Sequence, residues 1–264
     1  LSRSAAMSSD KKTVTQPAEV TAENGADDMM PIRFDLSRLK RKPWKKTGDM
    51  MPYVEEEPDV HFEKVADMEI RDDDIMLVSF PKSGTHWMWR ILDLIVNKTT
   101  DYGDRCTDFG FIDAQLVERV NNLASPRVLT SHVPLQYLPK QVKAKRTKLV
   151  HVYRNPKAVL VSMYFMMKTS GLMPDITLDK VAMNFVSDQG PLPKWTYYWD
   201  QVMEFENNNP DVPIFHISYE ELKLVRESDD WKNYLTVATS ERMDQILKDR
   251  ADRCRFSAKY VNSD

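Results

Sequence analysis

At 264 residues the chain is long enough for one large α/β domain or two small ones, and 42% hydrophobic with 29% charged residues places it among ordinary soluble globular proteins. A net charge of −3 argues against a broadly basic surface for nucleic acid or anionic membrane, so any anion site has to be a local cluster. Cys106 and Cys254 are too few for a disulfide framework, no apolar run reaches the ~18 residues of a membrane span, and no apolar leader opens the chain, so a reducing, cytoplasmic setting is expected.

Residues 1–30 are polar and without periodicity, and read as a disordered tail. The opening Leu1 points to a translated fragment, with Met7 a candidate start. Residues 31–46 mix Phe34, Leu36 and Leu39 with a run of lysines and arginines, and are expected to form a solvated basic linker. Glu55, Glu56 and Glu57 then lead toward the first strand.

The short apolar run 75–78, bounded by three aspartates and Pro81, predicts a buried strand. Beyond it, Trp87, Ile91, Leu94 and Ile95 recur at helical spacing, with Thr85 as the expected cap. Between strand and helix, Gly84 lets the backbone turn tightly so that successive amides converge on an anion, while Lys82 adds a charge and Ser83 and Thr85 add hydroxyls. This is a phosphate-binding loop like a P-loop but not the standard one, because its lysine precedes the only glycine. An ordinary βα turn with a surface lysine is the competing reading.

A short helix is expected over 116–123 and a short strand over 128–130, with His132 in the turn beyond, before Pro134. A lone histidine is more often structural than catalytic. Residues 148–153 predict a second buried strand running into Arg154, Asn155 and Pro156, where Pro156 opens a helix with Val159, Leu160, Met163 and Met167 on one side. Arg154 at that helix mouth and Ser162 two turns inside it form a second candidate anion site; the alternative is an arginine capping a neighbouring carbonyl or pairing a surface acid. Trp195, Tyr197, Tyr198, Trp199 and Phe205 predict an aromatic helix that serves as core, and 212–218 a strand ending at Tyr219. The strand and helix rhythm predicts an α/β fold, a single domain over 31–264 with a central, mainly parallel sheet flanked by helices and ligands bound beyond the strand C-termini. The loops at Lys82, His132 and Arg154 all fall at such ends.

Taken together, these loops resemble the cytosolic sulfotransferase family over roughly residues 50–255. The resemblance implies 3′-phosphoadenosine 5′-phosphosulfate (PAPS) as co-substrate, with no metal. Pro81-Lys-Ser-Gly-Thr-His-Trp87 is similar to the family's loop for the 5′-phosphosulfate, so Lys82, Ser83, Gly84, Thr85, His86 and Trp87 are implied donor-binding residues, Trp87 stacking on adenine. Arg154 and Ser162 match the 3′-phosphate site, and Tyr219 a tyrosine near the adenine. His132 is implied as the general base, a role suited to a near-neutral imidazole, and Lys82 as the cation on the leaving phosphate. The acceptor would be a phenol, alcohol, steroid or amine, with Phe109, Phe111 and Phe165 as candidate apolar wall. Lys232, Thr236, Val237 and Glu241 keep the spacing of the family's dimer motif and imply a homodimer.

The family pattern breaks in two places. Thr130 stands where the family has a lysine two residues before the histidine, and between Leu222 and Trp231 the chain is several dozen residues shorter than the family, with Arg226 the sole basic residue near the place of the missing 3′-phosphate loop. A shortened chain that dimerises or binds nucleotide without turnover is therefore the alternative function. A nucleotide kinase is the rival enzyme, but lacks its Gly-Lys-Ser/Thr order here.

Overall fold

The apolar runs that sequence periodicity marks as strands do become one sheet, and its two faces sort by alternation. Met76, Val78, Leu129 and Leu149 point into the larger core, whereas Leu77, Val128, Val150 and Val152 point into a smaller one on the opposite face. The computed structural model describes residues 57–101, 105–171, 173–186, 194–223 and 229–251, together with the backbone of 40–43 and 50–53. All of these lie in one unit, Phe34–Asp264. The N-terminal tail, Arg226 and Cys254 fall outside the described residues.

In chain order the described elements are β1 (Lys40–Pro43), β2 (Met50–Tyr53), α1 (Pro58–Ala66), β3 (Ile75–Ser79), α2 (Thr85–Val96), α3 (Val117–Asn121), β4 (Val128–Ser131), α4 (Lys140–Ala144), β5 (Lys148–Tyr153), α5 (Pro156–Thr169), α6 (Leu178–Val186), α7 (Trp195–Asn208), β6 (Ile214–Ser218), α8 (Tyr219–Leu222) and α9 (Val237–Ala251). The main sheet has the order β4-β3-β5-β6, and every pairing in it is parallel. From β3 the chain steps to β4 on one side and then returns to β5 on the other. The strand order thus reverses at β3, where α/β sheets open a crevice beyond their C-terminal ends.

Register brings those ends level. Val78 pairs with Ser131 and with His151, and Tyr153 pairs with Ser218. The next residues along β3, β4, β5 and β6 lead into Lys82, His132, Arg154 and Tyr219 respectively, so one rim of the sheet carries all four. At the opposite rim a buried ion pair joins the strand entrances: Arg127 Nε donates to Asp74 Oδ1 over 2.8 Å, and its other nitrogens reach the Val120 and Glu69 carbonyls. The aromatic helix α7 is core, as expected, with Trp195, Tyr198, Trp199 and Phe205 all buried. The buried Lys157 of α5 bonds Ser240 over 2.7 Å and Asp244 over 2.8 Å, pinning α9 to the domain.

Three expectations are corrected. Residues 40–43 of the supposed basic linker pair antiparallel with 50–53, Lys40 opposite Tyr53 and Pro43 opposite Met50. The acidic Glu55–57 stretch does not lead directly into a strand, because α1 intervenes and buries His61, Phe62 and Val65 on one side. Thr85 is not the cap of α2: it is the first helical residue, Gly84 is the N-cap, and no side chain caps the helix.

Candidate active site at the C-terminal rim of the sheet

The loop after β3 owes its shape to two residues in the left-handed region, Lys82 at φ 69° and Gly84 at φ 99°. Such a conformation in a non-glycine residue such as Lys82 is uncommon and concentrates at functional sites. At Gly84 the requirement is double, since a Cβ there would also stand 2.4 Å from Cδ2 of Tyr219. With no side-chain cap, the first amides of α2 remain available to an anion, and the helix dipole favours negative charge at that end.

Ser79, the last residue of β3, couples this loop to the histidine. Its hydroxyl meets Thr85 Oγ1 at 2.7 Å, while its carbonyl lies 2.8 Å from His132 Nδ1. A carbonyl only accepts, so Nδ1 carries the proton and the Nε2 lone pair is left as the basic site. His132 Nδ1 also lies 3.4 Å from Ser79 Oγ.

Desolvation pushes the His132 imidazole down to about 4; the Ser79 carbonyl bond opposes this, and the nearby His86 and Lys82 charges add to it. The near-neutral value expected from sequence is thus corrected for the protein without ligand: the ring is neutral at pH 7 and holds no proton on the basic nitrogen. The same coulombic coupling puts the Lys82 ammonium and the His132 ring in one electrostatic neighbourhood. His86, exposed overall, meets Thr107 Oγ1 at 2.9 Å, and desolvation, then the Lys82 charge, lowers its pKa.

Arg154 bridges the other side of the rim. It donates from Nη1 to the Lys82 carbonyl over 3.2 Å, the carbonyl contact of the ordinary reading, and its guanidinium lies 4.3 Å from the centre of the Tyr219 ring. Trp87, 41% exposed, meets Tyr219 edge-on at 5.8 Å and keeps a face open for stacking. Ser83 is buried, and Ser162 is half-buried two turns into α5. Lys82, Ser83, Gly84, Thr85, His86, Trp87, His132, Arg154 and Tyr219 therefore gather at one rim, and Ser162 lies on α5, the helix that starts there.

A match to the sulfotransferase domain family model covers residues 72–225, which carries every residue of this rim. The chain belongs to the sulfotransferase domain family. Among curated relatives, the amine sulfotransferase of Oryctolagus cuniculus is 32% identical over 167 residues, 61% of this chain and 54% of that protein. Sulfotransferase 6B1 of Danio rerio is 27% identical over 227 residues, 84% of this chain and 75% of that protein. The chain thus spans about half to three quarters of the curated relatives it matches. A crystal structure of mouse sulfotransferase SULT7A1 complexed with PAP superposes with a TM-score of 0.68 at 19% identity, over 83% of this chain and 98% of that one, a likeness of fold.

Within this sulfotransferase domain several contributors carry no sequence signal. Ser79 reads only as the end of a strand, Thr107 and Asp113 sit in a stretch without periodicity, and Lys223, whose ammonium lies 5.0 Å from the Tyr219 ring, follows a helical turn invisible to pattern. Thr130 is fully buried, and its hydroxyl has no partner among the described residues. Of the dimer-motif residues, Thr236 caps α9 by accepting from Thr239 N at 3.2 Å, Lys232 lies over Trp231, Glu241 is exposed, and Val237 is 74% exposed.

Proposed function

We propose that this chain transfers a sulfuryl group from PAPS to a hydroxyl or amine of a small-molecule acceptor. The observation that carries the reading is the sharing of Ser79 between the phosphate loop and the imidazole, through its hydroxyl and its carbonyl respectively. The residues suit the donor. A Cβ at Gly84 would fill space beside Tyr219, the α2 N-terminus is uncapped, and Arg154 and Lys223 lie against the Tyr219 ring. The PAP bound in the mouse SULT7A1 structure supports the same nucleotide here.

In this mechanism the acceptor oxygen or nitrogen attacks sulfur as its proton passes to His132 Nε2. The bond from sulfur to the 5′-phosphate oxygen breaks, and PAP leaves with the electron pair. Lys82 and the α2 amides stabilise the charge growing on that oxygen. An anionic donor beside His132 raises its pKa from the unliganded value, bringing the base nearer neutrality when it is needed. Ser83, Thr85 and His86 hold the phosphosulfate, Trp87 and Tyr219 the adenine, and Arg154 with Ser162 the 3′-phosphate. A homodimer through Lys232, Thr236, Val237 and Glu241 and a cytoplasmic location belong to the same proposal.

A second reading, nucleotide binding or dimerisation without turnover, is favoured by one observation: the region matched in the Oryctolagus cuniculus relative is 54% of that protein. Calorimetric titration with PAP, then transfer of radiolabelled sulfur from PAPS to a panel of phenols, alcohols and amines, separates the two. Binding with labelled product supports the transferase; binding with none supports the second reading; absence of both removes the nucleotide.

A further inference from the structure

The stretch from Thr107 to Asp113 touches both halves of the rim. Thr107 bonds His86 of α2, Phe111 packs edge-on against the His132 ring at 5.1 Å and bridges to Thr130, and the Ile112 amide bonds the Thr130 carbonyl over 3.0 Å. At its end Asp113 is buried beneath the turn that carries the histidine. One carboxylate oxygen accepts from Ser131 Oγ at 2.7 Å and the other from the backbone N–H of His132, while Ser131 Oγ also accepts from Val133 N at 3.2 Å. A buried carboxylate is costly, and two donors from one turn, one of them braced in turn by Val133 N, indicate what holds it there.

We propose that Asp113 is a positioning residue for the transfer reaction, fixing the backbone of residues 131–133 so that the His132 ring keeps its Nδ1 on the Ser79 carbonyl and presents Nε2 to the acceptor. This rests on the sulfuryl-transfer reading for its kinetic consequences, but not for its structural ones. Two anchors set the ring: Ser79 holds one nitrogen and Asp113 holds the main chain from which the ring hangs. Without the second, the ring keeps its chemistry and loses its aim, and a displacement of about 1 Å can cost on the order of 10²-fold.

The carboxylate is matched to this task only when ionised, since a protonated carboxyl donates at one oxygen and gives up a place for one of its donors. Burial raises Asp113 to about 7, against the bonds from His132, Ser131 and Val133 that lower it. The groups facing it are that turn on one side and Tyr198 of α7 on the other; His132 in turn faces Ser79 and Lys82 of the β3 loop, His86 of α2, and Phe111. Around pH 7 the clamp therefore tightens as pH rises.

The test compares wild type with Asp113→Asn, which keeps size but replaces one acceptor by a donor. Expected is a fall in kcat of at least about 10-fold at pH 8.5 with KM for PAPS within about threefold, and a wild-type to variant ratio that shrinks toward one at pH 5.5. Asp113→Glu should recover part of the loss. A loss that is the same at every pH, or one seen in KM for PAPS alone, overturns the proposal. Should Asp113→Asn fail to fold by circular dichroism, Ser131→Ala takes its place, with a smaller fall in kcat expected and unchanged kcat counting against the idea. Nitrogen NMR of the His132 ring reads the same claim without turnover: wild type should show the Nδ1–H tautomer, and the variant a mixture. An inactive wild type that still shows this difference sinks the transferase reading and keeps the clamp; an active wild type with identical ring spectra in both proteins sinks the clamp alone.

Discussion

Lys82 and Gly84 give the residue scale its two sharpest expectations. In the proposed mechanism the Lys82 ammonium acts both on the bound anion and on the departing phosphate, so Lys82→Ala should raise the Kd for PAP and lower kcat together; steady-state kinetics and calorimetry that both return wild-type values would mean the loop does not bind phosphate. Gly84→Ala forces a side chain into the left-handed region, worth about 1–2 kcal/mol, and drives it onto the Tyr219 ring. Thermal melts should show a loss that is smaller in a Tyr219→Ala background, because the two positions share a contact and cannot be additive. The lysine and glycine were legible because loop chemistry between a strand and a helix is a local pattern. Ser79 and Asp113 were not, since each acts through a contact with His132, 53 positions away for Ser79 and 19 for Asp113, and neither spacing nor composition encodes such contacts.

Elements follow the same division. β3 and β5 are mostly buried and largely apolar, β4 is a short buried stretch opening on Val128 and Leu129, and α5 starts at Pro156 with Asn155 accepting from Lys157 N at 2.9 Å, so sequence alone marks them. The β1–β2 pair was hidden because Lys40, Arg41 and Lys42 have charge rather than strand-forming side chains, and pairing with 50–53 overrides propensity. α1 carries its signal in plain view, Pro58 at its start and His61, Phe62 and Val65 at helical spacing, but only two of these are strongly apolar. The strand entrances depend on the Arg127–Asp74 pair, which is buried at both ends. Arg127→Ala leaves Asp74 charged and unpaired in the interior, and urea unfolding should show a loss of about 3–5 kcal/mol. Replacing both residues by apolar ones of similar volume should cost much less; an equal cost would assign the effect to packing.

Over the whole molecule the imidazoles set the response to acid. His132, His86 and His151 all have folded pKa values below 6.5, His151 chiefly by burial and then by its neighbour His216. The unfolded chain therefore binds more protons at these groups as pH falls below about 6.5, and their contribution to stability, present above that pH, is lost on the way down. Asp113, raised to about 7, works the other way, since the folded carboxyl takes its proton first. Three groups against one predict a lower Tm at pH 5 than at pH 7, with a steeper fall in Asp113→Asn; a flat profile would contradict the lowered pKa values of these rings. The parallel sheet was legible as a whole because strands and helices alternate along the chain, whereas the level of the four strand ends depends on register, which no local pattern carries. That level rim is what brings an imidazole to a phosphate loop. Its most direct test is single-turnover transfer of radiolabelled sulfur from PAPS to a responsive acceptor by wild type and His132→Ala. Transfer should be at least about 10²-fold slower in the variant with PAP affinity retained; equal rates in the two proteins would remove His132 from the role of base.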